Sequence, residues 1–126
     1  MILLDSSVWI DHLRKAEPAV ASLLNEHEVL CHPFVIGEIA CGSIARRQLV
    51  VKTLSALPKV IAAEHDEVLS YIEAHQLFSL GLSFVDVHLL ASCTLSATQI
   101  WTRDRRLNDV ATSLGLSYLS PPKEKT

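Results

Sequence analysis

The sequence alternates short, uniformly apolar runs with stretches of helical periodicity, and this alternation limits the possible fold more than any other feature. Short runs without a polar face are typical of strands in a parallel sheet, because helices cover both sides of such a sheet. Strands are predicted at residues 1–4, 28–31, 59–62, 99–102 and 117–119. The sequence therefore predicts an α/β fold of three layers, with a short, mostly parallel β-sheet flanked by α-helices.

Helices fill the intervals between these runs, and proline or glycine marks several of their ends. They are predicted at residues 7–14, 17–26, 33–41, 44–56, 65–79, 83–97 and 105–114. With 126 residues and neither a linker nor a repeat, the chain is expected to form a single domain over 1–126. Residues 121–126 (PPKEKT) are expected to be a frayed tail.

The composition excludes several classes of protein. A net charge of −3 is unlike that of a protein that coats nucleic acid, although it does not exclude a nuclease whose metal supplies local positive charge. The three cysteines form no CxxC pair, so neither a disulfide framework nor a zinc site is indicated. The N-terminus lacks a basic signal-peptide region, and no apolar run reaches the ~20 residues of a membrane span. A bacterial cytoplasmic location is expected.

Four acidic residues follow or interrupt the apolar runs MILLD, PFVIGE, LSFVD and IWTRD, and they are Asp5, Glu38, Asp86 and Asp104. A carboxylate beside the core is costly unless something pairs with it. Ligands of open parallel sheets bind at the carboxyl ends of the strands. Asp5 and Asp104 directly follow predicted strands. Glu38 lies early in the helix that follows the predicted strand at residues 28–31. These three residues are expected at the edge of the sheet formed by the carboxyl ends of its strands. Asp86 instead follows a helix–loop–helix, so its place at this edge is inferred and does not follow from the order of strands and helices.

Each acid also has a simpler structural interpretation. Asp5 and Asp104 are suited to cap the helices that follow them. Asp86, three residues after Ser83, resembles the second member of a capping box. Glu38 could form a buried ion pair with an arginine.

A shared cation accounts for the four acids together. Two carboxylates about 4 Å apart repel each other by about 4 kcal/mol at an effective dielectric constant of 20, so a cluster of four needs cations or protonation. Oxygen ligands without nearby Cys or His pairs suit Mg²⁺ or Mn²⁺. Such a site can orient water and neutralise charge on a phosphate, and this predicts a metal-dependent hydrolase of phosphodiester bonds.

Four segments support a more specific comparison: MILLDSSVWID, IGEIACGS, SFVDVHLLASC and IWTRDRRL. Each motif is weak alone, but their order, spacing and total length together are specific. In these respects nearly the whole chain resembles the PIN-domain family, and within it the VapC toxins of bacterial toxin–antitoxin pairs.

This resemblance implies a Mg²⁺-dependent endoribonuclease that cuts structured RNA, often tRNA or ribosomal RNA. The catalytic and metal-binding acids of the family fall on Asp5, Glu38, Asp86 and Asp104. Asp5 and Asp86 match the firmest ligands. Glu38 would complete the ligand shell or position water, and Asp104 would support a second ion or bind through water.

The resemblance also implies supporting residues and partners. Ser6 and Thr102 match hydroxyl positions near the site. The family implies a homodimer and a VapB-type antitoxin that covers the active-site groove. His88 is not part of the family pattern, and at about 200° from Asp86 around the helix it is expected to face away from that acid.

Basic residues near the acids are candidates to contact the RNA backbone, and the main ones are Arg46, Arg47, Arg103 and Arg105. Ordinary solvated surface is the competing interpretation of each.

Two other functions remain as alternatives. One is a phosphoacceptor receiver-like domain, which requires an acidic pair after the first strand and an acceptor Asp after the third. Here Asp5 stands alone and the run at 59–62 lacks an acid. The other is a PIN-like module that binds a partner without catalysis.

Overall fold

A parallel sheet lies at the centre of the computed structural model, which describes residues 1–119. Within that range its strands are β1 (Ile2–Leu4), β2 (Val29–Leu30) and β3 (Gln99–Trp101), in the order β2-β1-β3. The middle strand β1 is buried throughout, and its Leu3 pairs with Leu30 on one side and Ile100 on the other. Since all three strands are parallel, their carboxyl ends share one edge. The predicted tail, 121–126, lies outside the described residues.

Helices connect and flank the strands, as the sequence predicted. They are α1 (Ser6–Arg14), α2 (Pro18–Asn25), α3 (Pro33–Ala40), α4 (Arg47–Ser55), α5 (His65–His75), α6 (Phe84–Ser96) and α7 (Arg105–Ser113). Helix α3 packs against α1 and α4, and α5 packs against α6. Residues 87–93 of α6 are all buried, so this helix forms part of the core. No helix within residues 1–119 has both the length and the hydrophobicity to cross a bilayer.

The two outer strands are much shorter than predicted. The run at 59–62 contributes a single bridge between Lys59 and Cys31, and the run at 117–119 one between Ser117 and Ile100. Both are parallel bridges that extend the sheet at its edges. An edge segment needs ladder hydrogen bonds on one side only, so an apolar sequence there does not fix the strand length.

Two helix ends also differ from the prediction. Helix α4 begins at 47 rather than 44, because Arg46 has a left-handed backbone with φ of 55°. Helix α5 ends at His75 rather than 79, because Gln76 has φ of 54°. Left-handed residues cannot continue a right-handed helix, and neither position has the glycine that usually signals this conformation.

Candidate active site

Asp5 is the structural centre of the candidate site. It directly follows β1, and its backbone N–H donates to the carbonyl of Trp101 at 3.0 Å, which joins the ends of β1 and β3. Its side chain is 7% exposed. One carboxylate oxygen, Oδ2, accepts hydrogen bonds from the hydroxyls of Ser7 at 2.9 Å and Thr102 at 2.8 Å. The carboxylate is therefore buried, but it is held by two donors from different parts of the chain.

Glu38 lies on α3 and approaches the same region from the side of β2. The pKa of its carboxyl is raised, first by desolvation and then by the negative charges of Asp5 and Asp86. A hydrogen bond with the Ser6 side chain opposes this rise in pKa. Ser6, predicted as a supporting hydroxyl, thus supports Glu38.

Asp86 lies in the first turn of α6 and forms the predicted capping box. Its Oδ2 accepts from the backbone N–H of Ser83 at 3.0 Å, and the Ser83 hydroxyl accepts from the Asp86 N–H at 3.1 Å. Burial is the largest cause of its raised pKa, which the hydrogen bonds of Ser83 oppose and the charges of Asp104 and Asp5 increase. Capping therefore orients Asp86 at the helix N-terminus while the side chain remains close to the other acids.

Asp104 begins α7 as its N-cap and is tied to Asp5 through one residue. Its Oδ1 accepts from the backbone N–H of Leu107 at 2.9 Å, so the capping interpretation is also correct. Its own N–H donates to the hydroxyl of Thr102 at 3.1 Å, and that hydroxyl donates to Asp5. Thr102, the second predicted hydroxyl, links the acids that follow β1 and β3.

The four acids are close enough in space to influence one another electrostatically. Asp5 and Asp86 raise the pKa of Glu38, and Asp104 and Asp5 raise the pKa of Asp86. Within residues 1–119 none of the four forms an ion pair with Arg, Lys or His. The buried ion pair considered for Glu38 is therefore absent from the part of the chain that the structure describes.

The expected burial of the acids is only partly correct. Asp5 is buried and Asp86 is half-buried, but Glu38 and Asp104 are exposed. Glu38 projects from the surface of a short apolar helix whose buried side is formed by Val35, Ile36 and Ile39. The apolar composition of α3 overstated its burial, because a helix of eight residues still has one side in solvent.

This donor set fits a hard divalent cation in charge and chemistry, since four carboxylates offer oxygen ligands and require positive charge. In residues 1–119, however, no group of three or more His, Cys, Asp or Glu side chains is placed to hold a metal ion without adjustment. Both Asp86 and Asp104 have one oxygen engaged in helix capping. The second carboxylate oxygen of each of these two residues is not used in capping.

Ser7 is a site residue that the sequence analysis missed. Besides donating to Asp5, its hydroxyl accepts from the backbone N–H of Arg103 at 3.0 Å, so it joins α1 to the segment between β3 and α7. Two adjacent serines directly after Asp5 could have indicated two supporting hydroxyls, but only Ser6 was predicted. In the structure the two hydroxyls have different partners, because Ser6 hydrogen-bonds with Glu38 and Ser7 with Asp5.

The predicted basic residues have different environments. The guanidinium of Arg103 binds Asp11 at 2.6 Å and Glu17 at 2.5 and 2.7 Å, and it lies over the ring of Trp101. Arg103 is therefore already paired within the fold. The remaining predicted arginines are exposed, namely Arg46, Arg47 and Arg105. The side chain of Arg47 also donates to the carbonyl of Ala40 at 3.1 Å.

Comparison with known proteins identifies the family. The model of the PIN domain matches residues 2–113. The chain belongs to the PIN-domain family. This PIN domain is 42% identical over 118 residues to Ribonuclease VapC32 of Mycobacterium tuberculosis, in both strain CDC 1551 / Oshkosh and strain ATCC 25618 / H37Rv. The alignment covers 93% of this chain and 95% of that relative.

A solved structure supports the fold independently. The crystal structure of PAE2754 from Pyrobaculum aerophilum matches with a TM-score of 0.57, covering 90% of this chain and 88% of that one at 18% identity. The resemblance read from the motifs is thus confirmed at the level of family and of similarity to VapC. The receiver-like alternative has no support from these comparisons.

Proposed function

We propose that this protein is a metal-dependent endoribonuclease of the VapC type, the toxic component of a toxin–antitoxin pair. The observation that best supports this proposal is the approach of the acids to one another, since the charges of Asp5 and Asp86 raise the pKa of Glu38 and those of Asp104 and Asp5 raise the pKa of Asp86. Repulsion between clustered carboxylates destabilises the fold when no cation compensates their charge, and a bound metal ion would remove this repulsion. The name of the relative, a ribonuclease, indicates the reaction that the cluster would serve.

The four acids are assigned the roles of ligands and catalytic groups for Mg²⁺, with Mn²⁺ as a substitute. Asp5 and Asp86 are proposed as the principal ligands, and Glu38 completes the set or positions water. Asp104 acts through water or supports a second ion. When bound, such an ion supplies water activation and charge neutralisation at the phosphate. Ser7 and the two predicted hydroxyls would keep the carboxylates oriented, as outer-shell partners do in metal sites.

The proposed substrate is structured RNA, such as tRNA or ribosomal RNA. Because the chain has a net charge of −3, attraction to the RNA must come from local cations rather than from the whole molecule. The exposed Arg46, Arg47 and Arg105 are the proposed phosphate contacts, whereas Arg103 serves the fold through Asp11 and Glu17.

The proposed partners follow from the similarity to VapC. They are a VapB-type antitoxin that blocks the site and a second copy of this chain in a homodimer. A cytoplasmic location is proposed with them, and the free state of Cys31, Cys41 and Cys93 agrees with a reducing compartment.

The test is cleavage of total cellular RNA by purified, partner-free protein in Mg²⁺, Mn²⁺ or EDTA. Asp5→Asn is compared with Asp109→Asn, a matched substitution of an exposed acid on α7. Discrete fragments that require metal and Asp5, but not Asp109, are expected, and sequencing their ends identifies the substrate. Circular dichroism and thermal unfolding confirm that both variants are folded.

The outcomes separate the proposal from its alternatives. Asp5→Asn protein that keeps full turnover and a native fold would refute the site. Folded wild-type protein that binds RNA but cuts none under any metal condition would favour the non-catalytic PIN-like module. Cleavage of single-stranded DNA instead of RNA would retain the site and replace the substrate.

A further inference from the structure

The side chain of His32 connects two helices that carry acids of the candidate site. His32 is the N-cap of α3, and its Nδ1 accepts a hydrogen bond from the backbone N–H of Phe34 at 3.0 Å. Its Nε2 lies 3.2 Å from the hydroxyl oxygen of Ser92 on α6. A neutral imidazole carries one ring proton, and Nδ1 is the acceptor, so Nε2 carries the proton and donates to Ser92.

Ser92 joins this contact to a third segment of the chain. Its hydroxyl oxygen also accepts from the backbone N–H of Ala63 at 3.0 Å, just before α5. Both His32 and Ser92 are buried, at 1% and 0% exposure. Losing one partner of a buried hydrogen bond leaves the other partner unsatisfied, and this makes the loss costly. One hydroxyl therefore ties the beginning of α3 and the segment before α5 to the middle of α6.

Histidine at this N-cap is informative, because the preferred N-cap residues are Ser, Thr, Asp and Asn. Any of these would cap α3, but their side chains are too short to reach Ser92 as well. The imidazole has two nitrogens that point in different directions, so one ring both caps α3 and reaches α6. Burial lowers the pKa of His32 to about 4, and the nearby His88 ring acts in the same direction. The ring is thus neutral at neutral pH, and Nδ1 remains an acceptor.

The contact between His32 and Ser92, here called the helix bridge, lies at a similar distance from the two acids. His32 precedes Glu38 by six residues, and Ser92 follows Asp86 by six residues. In each case this is about 9 Å along the helix, at 1.5 Å per residue. The bridge therefore joins α3 and α6 at one end of the pair, and their acids lie toward the other end.

A ring contact between the same helices lies between the bridge and the acids. Phe34 of α3 contacts His88 of α6, with ring centroids 4.8 Å apart. Position along α3 thus increases from the bridge through this contact to Glu38, while position along α6 decreases to Asp86. Because the contacts occur in reverse order along the two helices, a shift of α3 against α6 changes the separation of the two acids.

Repulsion between the acids favours such a shift when no cation is bound. The negative charges of Asp5 and Asp86 are among the causes that raise the pKa of Glu38. Helix α3 has only eight residues and one side in solvent, so little packing opposes its displacement. The buried helix bridge does oppose it. A site that is ordered before its ligand arrives binds the ligand more tightly, because the cost of ordering is not incurred on binding.

We propose that His32 is a positioning residue, which through Ser92 fixes α3 against α6 and so keeps Glu38 near Asp86 before a divalent cation binds. This inference rests on the proposed function and deepens it, because it names the contact that prepares the metal site. His32 acts through the helix that begins at its side chain.

Four variants separate the helix bridge from the cap and from general stability. His32→Asn keeps a preferred N-cap for the Phe34 N–H and loses the donor to Ser92. His32→Gln keeps an amide N–H at about the position of Nε2 and loses the cap. Ser92→Ala removes the bridge from the side of α6. Val68→Ala is the control, because Val68 is fully buried on α5, which carries none of the four acids, and its truncation lowers stability by loss of packing.

The probe is Mn²⁺ alone, added to partner-free protein from which metal has been removed with EDTA. Electron paramagnetic resonance of the free ion gives the Kd, and urea unfolding gives the stability of each variant. His32→Asn and Ser92→Ala should raise the Kd about 3- to 10-fold, equivalent to about 0.7–1.4 kcal/mol, the net contribution of one hydrogen bond. His32→Gln and Val68→Ala should stay within about twofold of the wild type, although Val68→Ala loses stability.

Two results would overturn the proposal. One is a wild-type Kd in both His32→Asn and Ser92→Ala. The other is a Kd that follows the loss of stability across all variants, with Val68→Ala included, because the effect would then be general destabilisation.

Amide hydrogen exchange of the metal-free protein tests the helix bridge without any ion. His32→Asn should speed exchange in α3 about 3- to 10-fold and leave α5 unchanged. Wild-type protein that neither binds Mn²⁺ nor cuts RNA would refute the proposed function. In that case unchanged exchange in α3 of His32→Asn would also overturn the bridge, whereas faster exchange confined to α3 would support it.

Discussion

Replacing Thr102 by Val should weaken metal activation without unfolding the protein. The Thr102 hydroxyl donates to Asp5 Oδ2 at 2.8 Å and accepts from the Asp104 N–H at 3.1 Å, in a position only 7% exposed. Valine keeps the branched shape and removes both hydrogen bonds. Asp5 then still accepts the hydrogen bond from the Ser7 hydroxyl at 2.9 Å. The side-chain hydrogen bonds through which Thr102 links Asp5 to Asp104 are lost.

The expected magnitude follows from the kind of bond that is lost. A hydrogen bond to a charged group contributes about 1.5–3 kcal/mol, and a factor of ten in an equilibrium constant corresponds to about 1.4 kcal/mol. Loss of an outer-shell partner commonly reduces metal affinity or activity by about 10- to 100-fold. Because Ser7 retains part of the orientation of Asp5, we expect the concentration of Mg²⁺ or Mn²⁺ for half-maximal activity to rise about 10- to 30-fold.

The assay titrates metal against cleavage rate and, separately, against the thermal unfolding temperature. Thr112→Val is the matched control, since the Thr112 hydroxyl donates to the carbonyl of Asn108 at 2.7 Å on the exposed side of α7. The control should leave both metal midpoints within about twofold of the wild type, because threonine and valine have similar helix propensities.

One result would refute the reasoning. If Thr102→Val retains the wild-type metal midpoints while Asp5→Asn abolishes activity, the hydroxyl does not orient the carboxylate. A variant that unfolds in EDTA instead would assign Thr102 to stability, and Ser7→Ala would then measure the same orientation through the other donor.

Two further predictions concern stability. Ser92→Ala should lower the free energy of unfolding by about 2–4 kcal/mol in urea at pH 7, because the buried Ser92 hydroxyl contacts His32 Nε2 at 3.2 Å and accepts from the Ala63 N–H at 3.0 Å. Ser96→Ala on the same helix removes one exposed hydrogen bond and should cost about 1 kcal/mol or less, so equal losses would contradict the burial argument. Because partial desolvation and the charges of Asp5 and Asp86 raise the pKa of the Glu38 carboxyl, its ionised form destabilises the metal-free fold above that pKa, and the protonated form does not. Glu38→Gln should accordingly stabilise metal-free protein more at pH 8 than at pH 4, and the reverse order would show the sign to be wrong.

The sequence by itself determined the class of fold. The run from Met1 to Leu4 is apolar without alternation, which is typical of a buried parallel strand, and β1 is such a strand. Ser83 and Asp86 have the spacing of a capping box, and both reciprocal hydrogen bonds are present. The capping box was predictable because its two residues are close together in the chain, and the strand was predictable because its apolar run indicates burial whatever its partners are.

Backbone conformation at several turns was not predictable from composition. Arg46, Gln76 and Ser79 all have positive φ, and none is a glycine. A left-handed residue other than glycine costs about 1–2 kcal/mol, which the surrounding structure must supply. Since that energy comes from packing elsewhere, no local pattern revealed that α4 begins late or that α5 ends early.

The tertiary structure alone decided how the site is assembled. The sequence pointed to Asp5 and Asp86 as candidates but did not show that they lie close together. Their proximity depends on the packing of α6 in the core. It could not distinguish Ser6 from Ser7 either, although a rotation of about 100° sends the first to Glu38 and the second to Asp5. Local periodicity fixes which residues form each helix and strand, whereas the partner of each functional side chain depends on contacts between segments nearly a hundred residues apart, such as Thr102 with Asp5.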